Sequence, residues 1–203
     1  MTWIETIDYA HSEGRLRKLY DRVSGPGGVI DNILKAHSLR PHTLEGHMAL
    51  YKSVLHHSGN TLPNWLAEAI GVQVSLITGC DYCVQHHFTG LGRILADDER
   101  ARQMLEALKN ERHDGVFEPA EAAALRYVAA LTRAPSSLDV LQIDELRSHG
   151  FSDAEILEIN QVAGYFAYAN RTVLGLGVTA DGEPLGLAPA NRDDESDWSH
   201  GAG

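Results

Sequence analysis

The stretch Glu68-Ala-Ile-Gly-Val-Gln-Val-Ser-Leu-Ile-Thr-Gly-Cys80-Asp-Tyr-Cys83-Val-Gln-His-His87 holds both cysteines of the chain. Its first half continues a helical pattern that starts around Pro63. Trp65, Ala69, Val72 and Leu76 recur at three- and four-residue spacing, and Thr78-Gly79 interrupts them. A new helix is expected from Cys80. On it Cys80, Cys83 and His87 stand at i, i+3 and i+7 and share one face. An imidazole four residues beyond Cys83 can meet that thiol directly or through one water. Cys80 would sit at the helix start, where unpaired amides and the macrodipole favour negative charge. Both features lower a thiol pKa below its free value of roughly 8.5, and the thiolate is the reactive form. Cys83, with His87 below it, is therefore expected to titrate early. Glu68 precedes Cys80 by twelve residues. If the Thr78-Gly79 break folds the two helices together, Glu68 comes beside His87, orients the ring and raises its basicity.

Outward from this stretch the chain reads as mostly helical. A helix is expected from Pro41 to near Gly59, with Leu44, Met48, Tyr51 and Leu55 on one face. Asp97 is placed to cap a helix containing Met104, Leu105 and Leu108, and Pro119 opens an alanine-rich one that ends before Pro135. Ser152 and Glu155 have capping-box spacing and open a long apolar segment to about Gly175. Residues 1–30 are expected to form a peripheral N-terminal segment that ends in the loop Ser24-Gly-Pro-Gly-Gly28, residues 31–180 the helical domain, and residues 181–203 an acidic, disordered tail. Ala67-Glu68-Ala-Ile70 and Ala154-Glu155-Ile-Leu157 resemble each other, either as an internal repeat or as two chance amphipathic helices.

Composition narrows the function classes. The 203 residues carry 17 basic and 28 acidic side chains, a formal net charge of −11, which argues against a nucleic-acid surface. Apolar residues make up 43%, enough for a packed core. No run approaches a membrane span, and the first residues do not read as a secretory signal. Two close cysteines in such a chain point to redox or metal chemistry in a reducing, cytoplasmic setting. Zinc is the rival to redox chemistry: Cys80 and Cys83 could recruit His56, His57, His86 or His87. A haem attachment is excluded because Val84, not histidine, follows Cys83. His86 reads as a surface residue. Leu76, Tyr82, Phe88, Tyr165 and Phe166 are candidates for a pocket lining whose commoner role is core packing.

Glu68, Cys80, Cys83 and His87 together resemble the signature E-x11-C-x-x-C-x-x-x-H of the AhpD-like alkylhydroperoxidases, within the carboxymuconolactone decarboxylase superfamily. Within it the chain is most similar to the uncharacterised peroxidase-related enzymes. Ala36-His-Ser-Leu-Arg-Pro41, Leu131-Thr-Arg-Ala-Pro135 and Tyr165-Phe-Ala-Tyr-Ala-Asn-Arg171 add support, and the likeness runs over residues 30–178. It implies an all-α multi-helix bundle assembled as dimers, trimers or hexamers. It implies no cofactor and no metal. Cys83 would be the peroxidatic cysteine, His87 its base, and Glu68 the partner of His87 in a proton relay. Cys80 would protonate the leaving alkoxide and then resolve the sulfenic acid as a disulfide. The partners implied are an organic hydroperoxide and a dithiol reductant, thioredoxin-like or lipoyl-bearing. Tyr82 departs from the alkylhydroperoxidase pattern, which has histidine between the cysteines. A phenol holds position but does not shuttle protons near neutral pH. Lactone chemistry on the same fold is the further alternative.

Overall fold

Chain segments that bury an apolar face at helical spacing dominate the computed structural model, which describes residues 2–189, 193–194 and 197–201. Among the described residues nine α-helices follow one another. They are α1 (Gly14–Val23), α2 (Asn32–Ala36), α3 (Pro41–Tyr51), α4 (Asn64–Thr78), α5 (Asp81–Leu95), α6 (Asp98–Asn110), α7 (Pro119–Arg133), α8 (Val140–Ser148) and α9 (Asp153–Leu176). Two short strands, β1 (Ala188–Pro189) and β2 (His200–Gly201), pair antiparallel. The architecture is all-α. No described helix is long and apolar enough to cross a membrane.

The helix that carries Glu68 is the central element. α4 packs against α5, α6, α7 and α9. A helix apolar all round belongs in the interior, and ten residues of α4 are buried, Leu66 to Ser75 without a break. Gly79 ends it in the left-handed region at φ +73° and caps it through its N–H to the Leu76 and Ser75 carbonyls. Glycine takes that conformation without a Cβ penalty, as a helix-terminating residue must. The chain reverses there, and α5 runs back along α4. The break at Thr78-Gly79 thus does what the sequence requires of it.

The expected helix starts are met by their caps. Asp97 accepts from the Arg100 N–H at 2.9 Å. Ser152 and Glu155 satisfy each other's backbone N–H groups, which fixes the start of the 24-residue α9. The helix expected to run from Pro41 to Gly59 ends earlier as an α-helix, at Tyr51, and continues as a π-turn over 52–56. Leu44, Met48, Tyr51 and Leu55 are buried together all the same. The first helix is less marginal than expected: Leu16, Leu19, Tyr20 and Val23 are buried, and α1 packs against α3.

The expectation of a disordered tail over 181–203 falls in part on 190–192, 195–196 and 202–203, which lie outside the described residues. The rest of that segment returns over α3 and α5. Arg93 donates to the Gly186 carbonyl, and Lys52 donates to the carbonyls of Asp194 and Asp197. Trp198 is buried with the Arg22 guanidinium 3.8 Å from its ring centroid. Burying one indole offsets the ordering of several polar residues around it.

Candidate active site

The reversal at Gly79 delivers the two sulfurs. Cys80 is the N-cap of α5 and donates its N–H to the Ser75 carbonyl at 2.9 Å. Cys83 lies three residues on, and both are free, buried thiols. Asn170 on α9 braces this corner. It accepts from the Ser75 hydroxyl at 3.2 Å and donates to the Thr78 hydroxyl at 2.8 Å. The adjacent Arg171 is exposed and donates to the Ala167 carbonyl at 2.7 Å.

Because α5 runs antiparallel to α4, His87 comes level with Glu68. His87 Nδ1 lies 2.7 Å from Glu68 Oε2, with side chains 15% and 8% exposed, so the pair is shielded from water. Gly90 makes room for it: a Cβ there would sit 3.4 Å from the Glu68 carboxylate. The imidazole stands edge-on to Phe166, with ring centroids 4.5 Å apart at 85°. Carboxylate below and aromatic face beside fix the ring in one orientation. Cys83, His87 and Glu68 line one cavity of about 300 Å³. His87 reaches neither sulfur by a direct hydrogen bond among the described residues, so any proton passed between them crosses the cavity.

The charge on the dithiol sits differently from the sequence-based expectation. Cys80 is lowered, first by hydrogen bonding from the Cys83 thiol and then by the Cys83 backbone N–H, against its own burial. Cys83 is raised well above the ordinary thiol range, first because its proton is held by Cys80, then by burial. The pair gives up one proton from Cys80 and keeps the other on Cys83. The expected early titration of Cys83 is thereby corrected: the helix-start amides act on the first cysteine, and Cys83 is one turn too deep to share them.

His86 is a second correction. It was expected at the surface, yet its side chain is 11% exposed and its Nε2 lies 3.0 Å from Glu183 Oε1. Glu183 also accepts from the Asn32 N–H at 2.5 Å. His86 and His87, three and four residues past Cys83, therefore both line the cavity, each backed by a glutamate. Tyr82 is buried with its ring 4.5 Å from the His86 ring, and its hydroxyl accepts from the Ile33 N–H at 3.3 Å. Burial, then the charges of Glu183 and Asp31, keep this phenol protonated. Of the other lining candidates, Tyr165 reaches the cavity, while Leu76, Phe88 and Phe166 pack into the core. Among the described residues no group of three or more His, Cys, Asp or Glu side chains is disposed to hold a metal ion.

Neither a family model nor a curated protein matches the chain. Solved structures do. An uncharacterised peroxidase-related protein from Silicibacter sp. TM1040 superposes with a TM-score of 0.73 at 26% identity, over 87% of this chain and 92% of its own. A peroxidase-related protein from Ralstonia eutropha JMP134, described as an alkylhydroperoxidase AhpD core, gives 0.76 at 22% identity, over 89% and 93%. Neighbours at 26% identity support the assignment of the chain to the AhpD-like, carboxymuconolactone decarboxylase superfamily. The same fold is shared by the debrominase Bmp8, solved with 2,3,4-tribromopyrrole, at a TM-score of 0.68 and 20% identity over 90% and 93%.

This AhpD-like cavity also has a wall invisible in the signature. His47, Tyr51 and His56 come from α3 and the π-turn, Asp31 from the approach to α2, and Leu187, Pro189 and His200 from the C-terminal segment. His47 had a legible signal, since it falls three residues after Leu44 and four before Tyr51, on the buried face. Glu183 and His200 had none, because their partners lie about a hundred or more residues away.

Burial leaves these groups with a pH signature. His47 is lowered from 6.5 to about 3 and His200 to about 4, in both cases chiefly by burial, with charge on His37 or Lys52 adding to it. Asp31 is raised from 3.8 to about 6 by burial and then by the Glu183 charge, against His86 and Lys35. Below pH 6.5 an unfolded chain protonates both imidazoles while the folded one does not. Stability therefore falls as pH falls, by at most about 1.4 kcal/mol per ring per pH unit. Asp31 acts with opposite sign between pH 6 and 4, where the folded carboxyl holds a proton that the unfolded one has released. Two rings outweigh one carboxyl. The urea midpoint is expected to drop between pH 7 and pH 5, and His47→Phe should flatten the slope. A midpoint that is level over that range in the wild type contradicts neutral buried rings.

Proposed function

We propose that the chain is a dithiol oxidoreductase that reduces an organic hydroperoxide through a Cys80–Cys83 dithiol/disulfide cycle. The observation that carries this is the Glu68–His87 pair opening onto the same cavity as Cys83. The proton shared between the sulfurs supports the step. It passes from Cys83 to Cys80, and the Cys83 thiolate attacks the distal peroxide oxygen. The O–O bond breaks, Cys83 becomes a sulfenic acid, and the Cys80 thiol protonates the leaving alkoxide. Cys80, again a thiolate, then attacks the Cys83 sulfur. The disulfide forms, and the departing hydroxide leaves as water by taking from His87 the proton that the dithiol gave up when it first ionised, held until then on an imidazolium steadied by Glu68. A thioredoxin-like or lipoyl dithiol restores both thiols. A cytoplasmic homo-oligomer is part of the same proposal.

One equivalent of cumene hydroperoxide added anaerobically to the reduced protein tests it. Both thiols should disappear, with a mass loss of two hydrogens and a Cys80–Cys83 linkage in the peptide map. Thiol titration beforehand should show one proton leaving below the free-cysteine range and the other well above it. Thiols that survive the peroxide would sink the proposal.

A second reading is favoured by the aromatic wall and by the shared fold with Bmp8. The same dithiol could remove bromine from a small ring, yielding bromide, a proton and the debrominated ring as the sulfurs join. Release of bromide from 2,3,4-tribromopyrrole by the reduced protein, with cumene hydroperoxide left untouched, would replace the first reading with the second.

A further inference from the structure

The cavity that holds Cys83 is walled on its α3 side by a cluster of aromatic rings with Tyr51 at its centre. The Tyr51 ring centroid lies 4.7 Å from that of His56, 5.7 Å from Tyr165 and 5.7 Å from His200, and 6.5 Å from His47. Tyr165 in turn stands 5.2 Å from Phe166, the ring that abuts His87. Aromatic surface thus runs without a gap from the Glu68–His87 pair to the C-terminal wall.

Two ring nitrogens at the ends of this cluster need a partner. His47 is 3% exposed and His200 is 8% exposed, and Nδ1 of each is buried with no hydrogen-bond partner among the described residues. Native proteins rarely leave such atoms unsatisfied, so each requires an explanation. The two rings come from distant parts of the chain, α3 and β2, and both line the cavity. A rotation about χ2 turns either nitrogen toward it, and that torsion is soft for histidine.

The local chemistry narrows what could satisfy them. Both imidazoles are neutral near pH 7, so they offer one donor and one acceptor each rather than a positive charge. Asp31 and Glu68 line the same space and Glu183 stands behind His86, so the acids outnumber the one lining guanidinium, Arg93, which is bonded to the Gly186 carbonyl, and they disfavour an anion. A hydroxyl both donates and accepts, so it serves a neutral imidazole in either tautomer. About 300 Å³ accommodates a compound of one or two rings, and the ring cluster offers offset and edge-on faces to it.

We propose that the cavity recognises an uncharged phenol-type ring, packed against Tyr51 and Tyr165, whose hydroxyl bonds to the unpartnered nitrogen of His47 or His200. The inference deepens the proposed function, in that this ring would be carried by the reducible substrate. Binding itself needs no sulfur chemistry.

Calorimetric titration of the reduced protein with p-cresol, 4-methylanisole and 4-methylbenzoate tests the proposal with three ligands of nearly one shape. The phenol should bind about tenfold more tightly than the ether, the share of one hydrogen bond, and the carboxylate should bind least. His47→Phe or His200→Phe keeps an aromatic ring and removes the nitrogens. At least one of them should bring p-cresol down to the affinity of 4-methylanisole and leave the ether unchanged. If His47→Phe fails to fold, His200→Phe, outside the helical body, carries the comparison. Equal affinity for phenol and ether in the wild type overturns the proposal. So does preference for the carboxylate, or p-cresol binding unmoved by each variant that folds. Selective phenol binding with no peroxide turnover leaves the ring site standing and removes the peroxidase reading. Turnover without phenol selectivity does the reverse.

Discussion

Cys83→Ser removes hydroperoxide turnover, with an expected fall in kcat/KM of more than about a thousandfold when cumene hydroperoxide is reduced at the expense of a dithiol. The physical reason is local. Serine fits the volume that Cys83 occupies on α5 and accepts the same burial, so the fold stays. Its hydroxyl, however, cannot supply an oxygen-accepting nucleophile at neutral pH, and it cannot form the S–S bond that ends the cycle. Cys80→Ser should behave differently. It removes the group that carries the charge and that hands the proton to the alkoxide, but leaves the attacking sulfur. One peroxide per chain should then be consumed slowly, and a sulfenic acid should accumulate that dimedone traps. Equal rates for wild type and Cys83→Ser would end the proposed mechanism, and trapping on Cys80 in place of Cys83 would reverse the two roles.

The contrast between those variants shows where the sequence was sufficient. Local chemistry was legible: Gly79 as a left-handed terminator, Cys80 at the start of a helix, and His87 four residues below Cys83 all follow from spacing and backbone preference. The meeting of Glu68 with His87 also follows, once the break reverses the chain, because one turn is all that separates the two helices. What was not legible depends on burial. The order in which the two thiols ionise is set by which sulfur points at the other, and His86 leaves the surface only because Glu183 comes to meet it from 97 residues away. The N-terminal helix and the C-terminal segment were read as periphery for the same reason. Their apolar residues, such as Leu19 and Trp198, are too few to announce a core by periodicity and are buried by surfaces supplied from elsewhere.

Gly71→Ala should be the most damaging single-methyl change in the helical body, although in an exposed helix interior the same change would stabilise by roughly 0.5–1 kcal/mol. A Cβ at position 71 would lie 2.2 Å from Cζ and 2.3 Å from Cε2 of Phe166, far inside carbon–carbon contact distance. Phe166 cannot withdraw freely, since it is fully buried and wedged between Tyr165 and the His87 ring. Either α4 and α9 separate or the phenyl ring leaves its rotamer. Overpacking of this kind costs about 1–3 kcal/mol, which in a chain of this size lowers Tm by several degrees. Gly164→Ala on α9 is the internal standard: nothing lies within 4 Å of its Cβ position, and the residue is exposed. Thermal unfolding should place Gly164→Ala at or above the wild type and Gly71→Ala clearly below it. The pair Gly71→Ala with Phe166→Leu separates packing from chemistry. Shortening the ring relieves the clash, so the double variant should recover part of the lost stability, and the two substitutions should be non-additive as residues in contact are. Turnover should stay depressed, because the aromatic face that holds His87 against Glu68 is gone. If Gly71→Ala melts with Gly164→Ala, the close approach of α4 to Phe166 is wrong. If the double variant regains full activity, Phe166 fills space and does not position the imidazole.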